Sequence, residues 1–167
     1  VNVIAVRAQR ENVADSRWYP GSGIYRHVRL VATGPLAVAP WGVFVTTPRI
    51  TGNSADIAVT ATIANQSGEE RAVRVEWAVV GPQGDQVGAM ATDQRIPAGG
   101  QEECGGWCQV PAPRLWSPED PALHTLVTKV VADGKLVDET RVTFGIRWIR
   151  VDRAARSFLT RRSSQLE

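Results

Sequence analysis

The sequence lacks most features that would define a metal-binding, cofactor-binding or membrane protein. It contains two histidines and two cysteines in 167 residues, and because zinc needs about four ligands, a zinc site is not predicted. No apolar run approaches the ~20 residues of a membrane-spanning helix. The glycines of Gly21-Ser22-Gly23 precede a strand pattern instead of opening a helix, so they do not predict a phosphate loop. We therefore expect no metal, no cofactor and no membrane partner.

Charge and length exclude two further classes of protein, nucleic-acid-binding domains and TIM barrels. The formal net charge is +2, which is too balanced for the concentrated basic surface of a nucleic-acid-binding domain. A TIM barrel needs about 250 residues, so the chain is too short to contain one. Helical periodicity is nearly absent, whereas alternating apolar and polar positions recur about every ten residues, separated by Gly, Pro and Asn. This pattern predicts an all-β protein.

The alternating runs also indicate which side chains are buried. The runs at residues 56–64, 71–79 and 142–148 place apolar side chains at every second position, which buries one face of a strand and leaves the other in water. Asp133-Gly134 separates two further runs and predicts a two-residue hairpin, because both central residues of that turn need positive φ. About seven strands between Val43 and Ile149 predict an immunoglobulin-like β-sandwich.

The two cysteines do not have the spacing of a disulfide on a strand. Residues four apart in an extended strand are separated by about 13 Å, whereas a disulfide needs Cα atoms within about 7 Å. Cys104 and Cys108 are therefore interpreted as two free, partly buried thiols. A turn at Gly105-Gly106 that would bring them together remains an alternative.

Three motifs, in order along the chain, resemble one known family. They are SRWYPGSGIYRHVRL at residues 16–30, LWSPEDP at residues 115–121 and FGIR at residues 144–147. Together they are similar to glycoside hydrolase family 2, the group of β-galactosidases, β-glucuronidases and β-mannosidases. The resemblance implies that the first motif closes a jelly-roll sugar-binding domain, that an immunoglobulin-like sandwich follows, and that the FGIR segment leads into a catalytic TIM barrel.

The resemblance divides the chain into three parts. Residues 1–40 are interpreted as the C-terminal remnant of the jelly-roll domain, with strands at 1–9 and 24–33. Residues 41–150 are the predicted sandwich, and residues 151–167 are a predicted linker towards a barrel absent from this chain, ending in tag residues. The predicted fold is therefore an all-β sandwich preceded by two strands of an incomplete jelly roll.

The loop at residues 10–23 is the segment predicted to contribute to a sugar site. Asp15 offers a carboxylate that can accept hydrogen bonds from hydroxyls, while Trp18 and Tyr19 offer aromatic faces for sugar C–H groups. The resemblance implies that an acidic residue of this loop contacts the substrate, and Asp15 lies near that position. Substrate binding is predicted for Asp15, Arg17, Trp18 and Tyr19. In the alternative, Trp18 and Tyr19 pack a domain junction and Arg17 pairs with an acid.

No catalytic residue is predicted. Glycosidases commonly use two carboxylic groups held across the glycosidic bond, whereas the resemblance assigns both catalytic glutamates to the barrel. The adjacent acidic pairs in this chain are interpreted as solvated charges in turn-like stretches. These pairs are Glu69-Glu70, Glu102-Glu103 and Glu119-Asp120.

The predicted function follows from the resemblance. The chain is interpreted as a non-catalytic structural fragment of a family 2 hydrolase, a retaining β-galactosidase, that links the sugar-binding domain to the barrel. The implied partners are that barrel and, through the parent enzyme, a carbohydrate substrate; contacts between copies of the parent are compatible with this role. The competing hypothesis is a free-standing β-sandwich that binds carbohydrate or protein.

Overall fold

The computed structural model describes residues 3–8, 23–152 and 157–160. The chain divides into two compact units, Val1–Ala32 and Thr33–Glu167. In the first unit, the described residues form no strand, and apolar side chains such as Ile24 and Leu30 are exposed. The strands expected at 1–9 and 24–33 are thus not formed in the described part, because an extended segment without enough paired neighbours is not stable in water.

Strands are the only regular secondary structure in the described part of the second unit. Nine strands follow one another without an intervening helix, and no described segment is a helix long and apolar enough to cross a membrane. The strands are β1 (Leu36–Ile50), β2 (Ser54–Asn65), β3 (Arg71–Val80), β4 (Gln86–Ile96), β5 (Gln101–Pro111), β6 (His124–Ala132), β7 (Lys135–Phe144), β8 (Ile149–Asp152) and β9 (Ser157–Thr160).

Two antiparallel sheets form the sandwich. The first sheet has the order β1-β2-β5, and the second has the order β4-β3-β6-β7. Strands β8 and β9 pair only with each other among the described residues. The prediction of an all-β sandwich with about seven strands is confirmed. Strand β1 begins at Leu36, ahead of the predicted domain boundary, since its first residues already pair with the end of β2.

The core lies between the inner faces of the two sheets and follows the predicted alternation. Ile57 and Ile63 on β2 and Val75 on β3 are completely buried. Trp77 on β3 crosses the core towards β5, where a Cβ atom added at Gly106 would lie 3.2 Å from the Trp77 ring. Burial of such apolar side chains is the main stabilising term of the fold. Trp77 occupies the space that a side chain at position 106 would need.

The connections between strands follow two different principles. Asp133 and Gly134 have φ values of 52° and 71°, so the predicted two-residue hairpin between β6 and β7 is confirmed. The end of β2 is instead held by a buried side chain. The Asn65 amide nitrogen lies 2.8, 3.1 and 3.1 Å from the carbonyl oxygens of Glu69, Ile96 and Pro97. Asn65 therefore joins the β2–β3 and β4–β5 connections.

Candidate functional site

The predicted sugar-binding residues lie outside the described part of the chain. Asp15, Arg17, Trp18 and Tyr19 all fall between residues 9 and 22, so their role remains a prediction. Among the described residues, the candidate site lies at the end of the sandwich where β7 ends and the FGIR segment begins.

Two of the sequence motifs meet at this end of the sandwich. The Trp116 backbone N–H donates to the Ile146 carbonyl oxygen at 2.8 Å. A Cβ atom added at Gly145 would lie 2.8 Å from both Cβ and Cγ of Trp116, a distance at which the atoms would overlap. The LWSPEDP motif therefore packs directly on the FGIR motif, and this packing accounts for the glycine at position 145.

Arg147 completes this contact. Its guanidinium carbon lies 5.1 Å from the centre of the Trp116 ring, within the range of a cation–π interaction. Its backbone carbonyl oxygen accepts a hydrogen bond from the Thr47 hydroxyl at 3.2 Å, which ties the FGIR segment to β1 of the opposite sheet. We call Trp116, Gly145, Ile146 and Arg147 the exit cluster.

An open groove of about 580 Å³ lies beside the exit cluster. Hydroxyl groups of Thr46, Thr47 and Thr143 and apolar side chains line it, and Arg147 supplies its one charged group. With a cation and no carboxylate in its lining, the groove has no acid–base pair for glycoside hydrolysis. Its chemistry suits contact with a polar or acidic surface.

The turn before β6 is fixed by an ion pair. Arg114 donates to both carboxylate oxygens of Asp120 at 3.1 and 2.7 Å, and this hydrogen-bonded pair raises the pKa of Arg114. The Asp120 backbone N–H donates to the Ser117 hydroxyl at 3.1 Å, and the Ser117 N–H donates to the Asp120 carbonyl oxygen. These contacts hold the LWSPEDP segment in one conformation and thereby orient Trp116.

Arginines bind several of the acidic side chains at the surface. Six described carboxylates form ion pairs with arginines, namely those of Glu70, Glu76, Asp93, Asp120, Asp133 and Glu139. Glu102 and Glu103 lie on β5, so the expectation of a turn there is wrong, because β5 starts at Gln101 and pairs along its length with β2.

The core contains polar groups near this same end. His124 is 1% exposed, and its Nδ1 has no hydrogen-bond partner in the described structure. Burial lowers the pKa of His124 below its usual value of 6.5, while the charge of Asp85 opposes that shift. The ring packs against Phe144 with a centroid distance of 5.8 Å. His124 is thus a neutral core residue.

The cysteines are free and buried on the inner face of β5. Burial raises the pKa of both thiols, and for Cys104 the charges of Glu102 and Glu103 add to the effect. A thiol with a raised pKa is a poor nucleophile and a poor metal ligand. The interpretation of two free thiols is confirmed, although both are buried more deeply than expected.

Two functional features were not predicted from the sequence. They are the three carbonyl contacts of the Asn65 amide and the packing of Trp116 on Gly145. Two signals were available, the spacing of Asn65 and Ser67 and the glycine at position 145. The spacing is a signal because Ser67 donates to Asn65 Oδ1 from both its N–H and its hydroxyl. Neither signal indicates which distant residue the side chain contacts.

Comparison with known proteins identifies the family. The sequence model of the family Glycosyl hydrolases family 2 matches residues 41–147, which make up most of the sandwich. A β-galactosidase of Bacteroides ovatus, BoGH2A, is 34% identical over 151 residues, covering 90% of this chain and 18% of that protein. A β-glucuronidase of Formosa agariphila is 26% identical over 166 residues, covering 87% of this chain and 17% of that protein.

Similarity to solved structures indicates the same family as the sequence relatives. The crystal structure of a glycosyl hydrolase family 2 member from Bacteroides cellulosilyticus is 31% identical and has a TM-score of 0.72, covering 77% of this chain and 18% of that one. The present chain spans less than a fifth of the length of the relatives named here. From its motifs, its fold and these matches, the chain belongs to glycosyl hydrolase family 2.

Proposed function

We propose that this chain is a non-catalytic, architectural β-sandwich of a family 2 β-galactosidase. In that role it connects the sugar-binding domain that precedes it to the catalytic barrel that follows it. The observation that carries the proposal is the exit cluster, in which Trp116, Gly145 and Arg147 fix the direction of the chain as it leaves the last strand of the sandwich. A domain that only had to bind a ligand would not need this end to be rigid.

The arrangement of the carboxylates supports a non-catalytic role. A retaining glycosidase needs two carboxyl groups about 5 Å apart on either side of the scissile bond. In the described residues, six carboxylates are held by arginines, and Asp138 accepts a hydrogen bond from the Val38 N–H at 2.9 Å. Carboxylates that already bind an arginine or a backbone N–H at the surface are poorly placed to donate a proton to a glycosidic oxygen.

The choice of substrate rests on the relatives. BoGH2A is named a β-galactosidase and is 34% identical, whereas the two Formosa agariphila relatives that carry the name β-glucuronidase are 30% and 26% identical. A β-galactoside is therefore the substrate class that we assign to the parent enzyme, with retention of configuration. Asp15, Arg17, Trp18 and Tyr19 are the residues of this chain that we assign to substrate contact.

The proposal is tested by producing the parent protein and this chain separately. We expect the parent to hydrolyse an aryl β-galactoside faster than the matching β-glucuronide, and NMR of the first-formed sugar to show the β-anomer. The isolated chain should hydrolyse neither substrate. A substitution of Asp15 by Asn in the parent should raise KM or lower kcat, whereas substitution of Asp93 by Asn, on the outer face of the sandwich, should change neither. Hydrolysis by the isolated chain would refute the non-catalytic assignment.

A further inference from the structure

The connection after β2 contains an acceptor sequence for N-linked glycans. Residues 65–67 read Asn-Gln-Ser, which matches the acceptor pattern of an asparagine followed two positions later by serine or threonine, with no proline in between. The other three asparagines, at positions 2, 12 and 53, are followed at that distance by isoleucine or alanine. Asn65 is therefore the one asparagine of this sequence that an oligosaccharide transferase would recognise.

The side chain that would carry the glycan is buried in the folded domain. Asn65 is 1% exposed, and its amide nitrogen lies within 3.1 Å of three carbonyl oxygens, those of Glu69, Ile96 and Pro97. An amide nitrogen has two hydrogens, so these three acceptors occupy both of them. A glycan would replace one hydrogen with a sugar carbon and would leave fewer hydrogens than the surrounding carbonyl oxygens bind.

Main-chain hydrogen bonds enclose Asn65 from two further directions. The Asn65 N–H donates to the Gly100 carbonyl oxygen at 2.9 Å. The next residue, Gln66, donates its N–H to the Pro35 carbonyl oxygen at 2.6 Å. The segment before β1, the β2–β3 connection and the β4–β5 connection thus meet around this side chain. Room for a sugar ring at Asn65 requires that these segments separate, which would open this end of the sandwich.

The serine of the acceptor sequence is bound within the same turn. The Ser67 hydroxyl donates to Asn65 Oδ1 at 2.6 Å, and the Ser67 N–H donates to the same oxygen at 3.0 Å. The acceptor pattern requires a hydroxyl at this position, so a transferase would have to contact a group that the folded turn already uses. Both groups that define the acceptor, the amide and the hydroxyl, are therefore occupied in the folded domain.

We propose that Asn65 is a glycan acceptor only while the chain is unfolded, so that glycosylation of Asn65 and closure of the sandwich exclude each other. The donor is a lipid-linked oligosaccharide, which carries its first sugar on a pyrophosphate. A bond forms between Asn65 Nδ2 and C1 of that sugar, and the bond between C1 and the pyrophosphate breaks. The lipid pyrophosphate leaves, and one amide hydrogen leaves as a proton. Because the attached glycan is bulky and solubilising, the modified side chain cannot enter its buried position.

Secretion of the parent protein through the endoplasmic reticulum of yeast tests the proposal at this one residue. That compartment contains both the lipid-linked donor and the transferase. Removal of glycans by peptide-N-glycosidase in heavy-oxygen water converts each glycosylated asparagine into a labelled aspartate, which peptide mass spectrometry measures. We expect an unmodified Asn65 in the secreted, folded protein, and a labelled residue at position 65 in the protein retained inside the cell.

Two substitutions of Ser67 form a matched pair. Ser67→Ala removes the acceptor pattern, whereas Ser67→Thr retains both the pattern and the hydroxyl. In yeast, Ser67→Ala should raise the secreted yield several-fold, and Ser67→Thr should not. In the cytosol of a bacterium, where this donor and transferase do not act, Ser67→Ala should give no more folded protein than the unsubstituted sequence, because it only loses a hydrogen bond to Asn65.

Each other result overturns the proposal. A glycan on Asn65 in the secreted, folded protein means that this side chain is accessible after folding. The absence of a glycan from Asn65 in both fractions means that the transferase does not use this sequence. A gain in yield from Ser67→Ala that is equal in yeast and in the bacterial cytosol means that the hydroxyl affects folding alone. None of these readouts involves hydrolysis of a glycoside, so they are independent of the proposed function.

Discussion

Trp77 on one sheet packs against the backbone of Gly106 on the other, so that a Cβ atom at position 106 would lie 3.2 Å from Cζ3 of Trp77 and 3.2 Å from Sδ of Met90. The neighbouring Gly105 points to the outer face, where an added Cβ would make only ordinary contacts, the nearest at 3.6 Å. Packing of the core therefore requires a glycine at position 106, whereas the outer face leaves space for a side chain at position 105.

Substitution of each glycine by alanine should separate these requirements. Gly106→Ala should destabilise the domain by about 1–3 kcal/mol, because an overpacked core must shift its side chains. Gly105→Ala should be neutral or stabilising by up to about 1 kcal/mol, since alanine loses less backbone entropy on folding. Urea denaturation of both variants measures the difference, and equal stabilities would contradict the packing of Trp77 across the core.

Asn65 should be among the least replaceable side chains of the sandwich. It is 1% exposed, and Asn65→Asp would keep its shape while placing a carboxylate against the three carbonyl oxygens that its amide now binds. We expect a loss of about 3–5 kcal/mol, as for a buried charge without a partner. Ser67→Ala, which removes one hydrogen bond to Asn65 Oδ1, should cost about 1 kcal/mol. Similar losses for the two variants in guanidinium titrations would show that Asn65 is not a shared anchor.

The contact between Gly145 and Trp116 should be visible in a double-mutant cycle. Gly145→Ala alone should destabilise the domain by about 1–3 kcal/mol, because its Cβ would overlap Trp116. In a Trp116→Ala background the same substitution should cost much less, since the indole is gone. Thermal unfolding of the four proteins gives the coupling energy, and purely additive effects would disprove direct packing between the two motifs.

Protonation of His124 should make the domain less stable in mild acid. Its pKa in the folded state is lowered by burial, so as pH falls below about 6.5 the unfolded chain takes up this proton before the folded chain does. The free energy of unfolding should therefore be steady above that pH and decrease as pH falls towards the lowered folded pKa. His124→Phe, which also removes an unpaired buried nitrogen, should reduce this decrease.

The control for this pH dependence is His27, which is exposed. His27→Gln should retain the decrease in stability between neutral pH and pH 5 that the unsubstituted chain shows. Equal pH profiles for His124→Phe and His27→Gln, measured by urea denaturation, would mean that another group causes the acid sensitivity.

The fold was predictable where the information is local. Alternation at residues 56–64 and 71–79 identifies the buried faces because the side-chain period of a strand is two, and Asp133-Gly134 identifies its turn because positive φ favours those residues. The bulge of β1 between Val38 and Val43 was missed, since its position depends on which residue of β2 lies opposite. Asn65 and Trp116 were missed for the same reason, as their partners lie up to about thirty residues away in sequence.

The candidate site was less predictable than the fold. The motifs at residues 115–121 and 144–147 could be recognised separately, but sequence alone gives no distance between Trp116 and Gly145. The sugar-binding prediction for residues 15–19 rests on residue chemistry and on the family resemblance, and both are independent of the sandwich. An exposed aromatic side chain such as Trp107 also looks like a core residue until its register is known.

Strands β1 and β7 run in the same direction, which determines how a force applied to the two ends of the domain would act on it. Both strands start at the Asn65 end, and they are joined sideways by the bonds Val38–Asp138 and Thr47–Arg147. The chain therefore enters at one end and leaves at the other, after the ten residues of β7, or about 33 Å. Pulling on the two ends would load these contacts in shear, all at once, so we expect the sandwich to resist extension along β1 and β7.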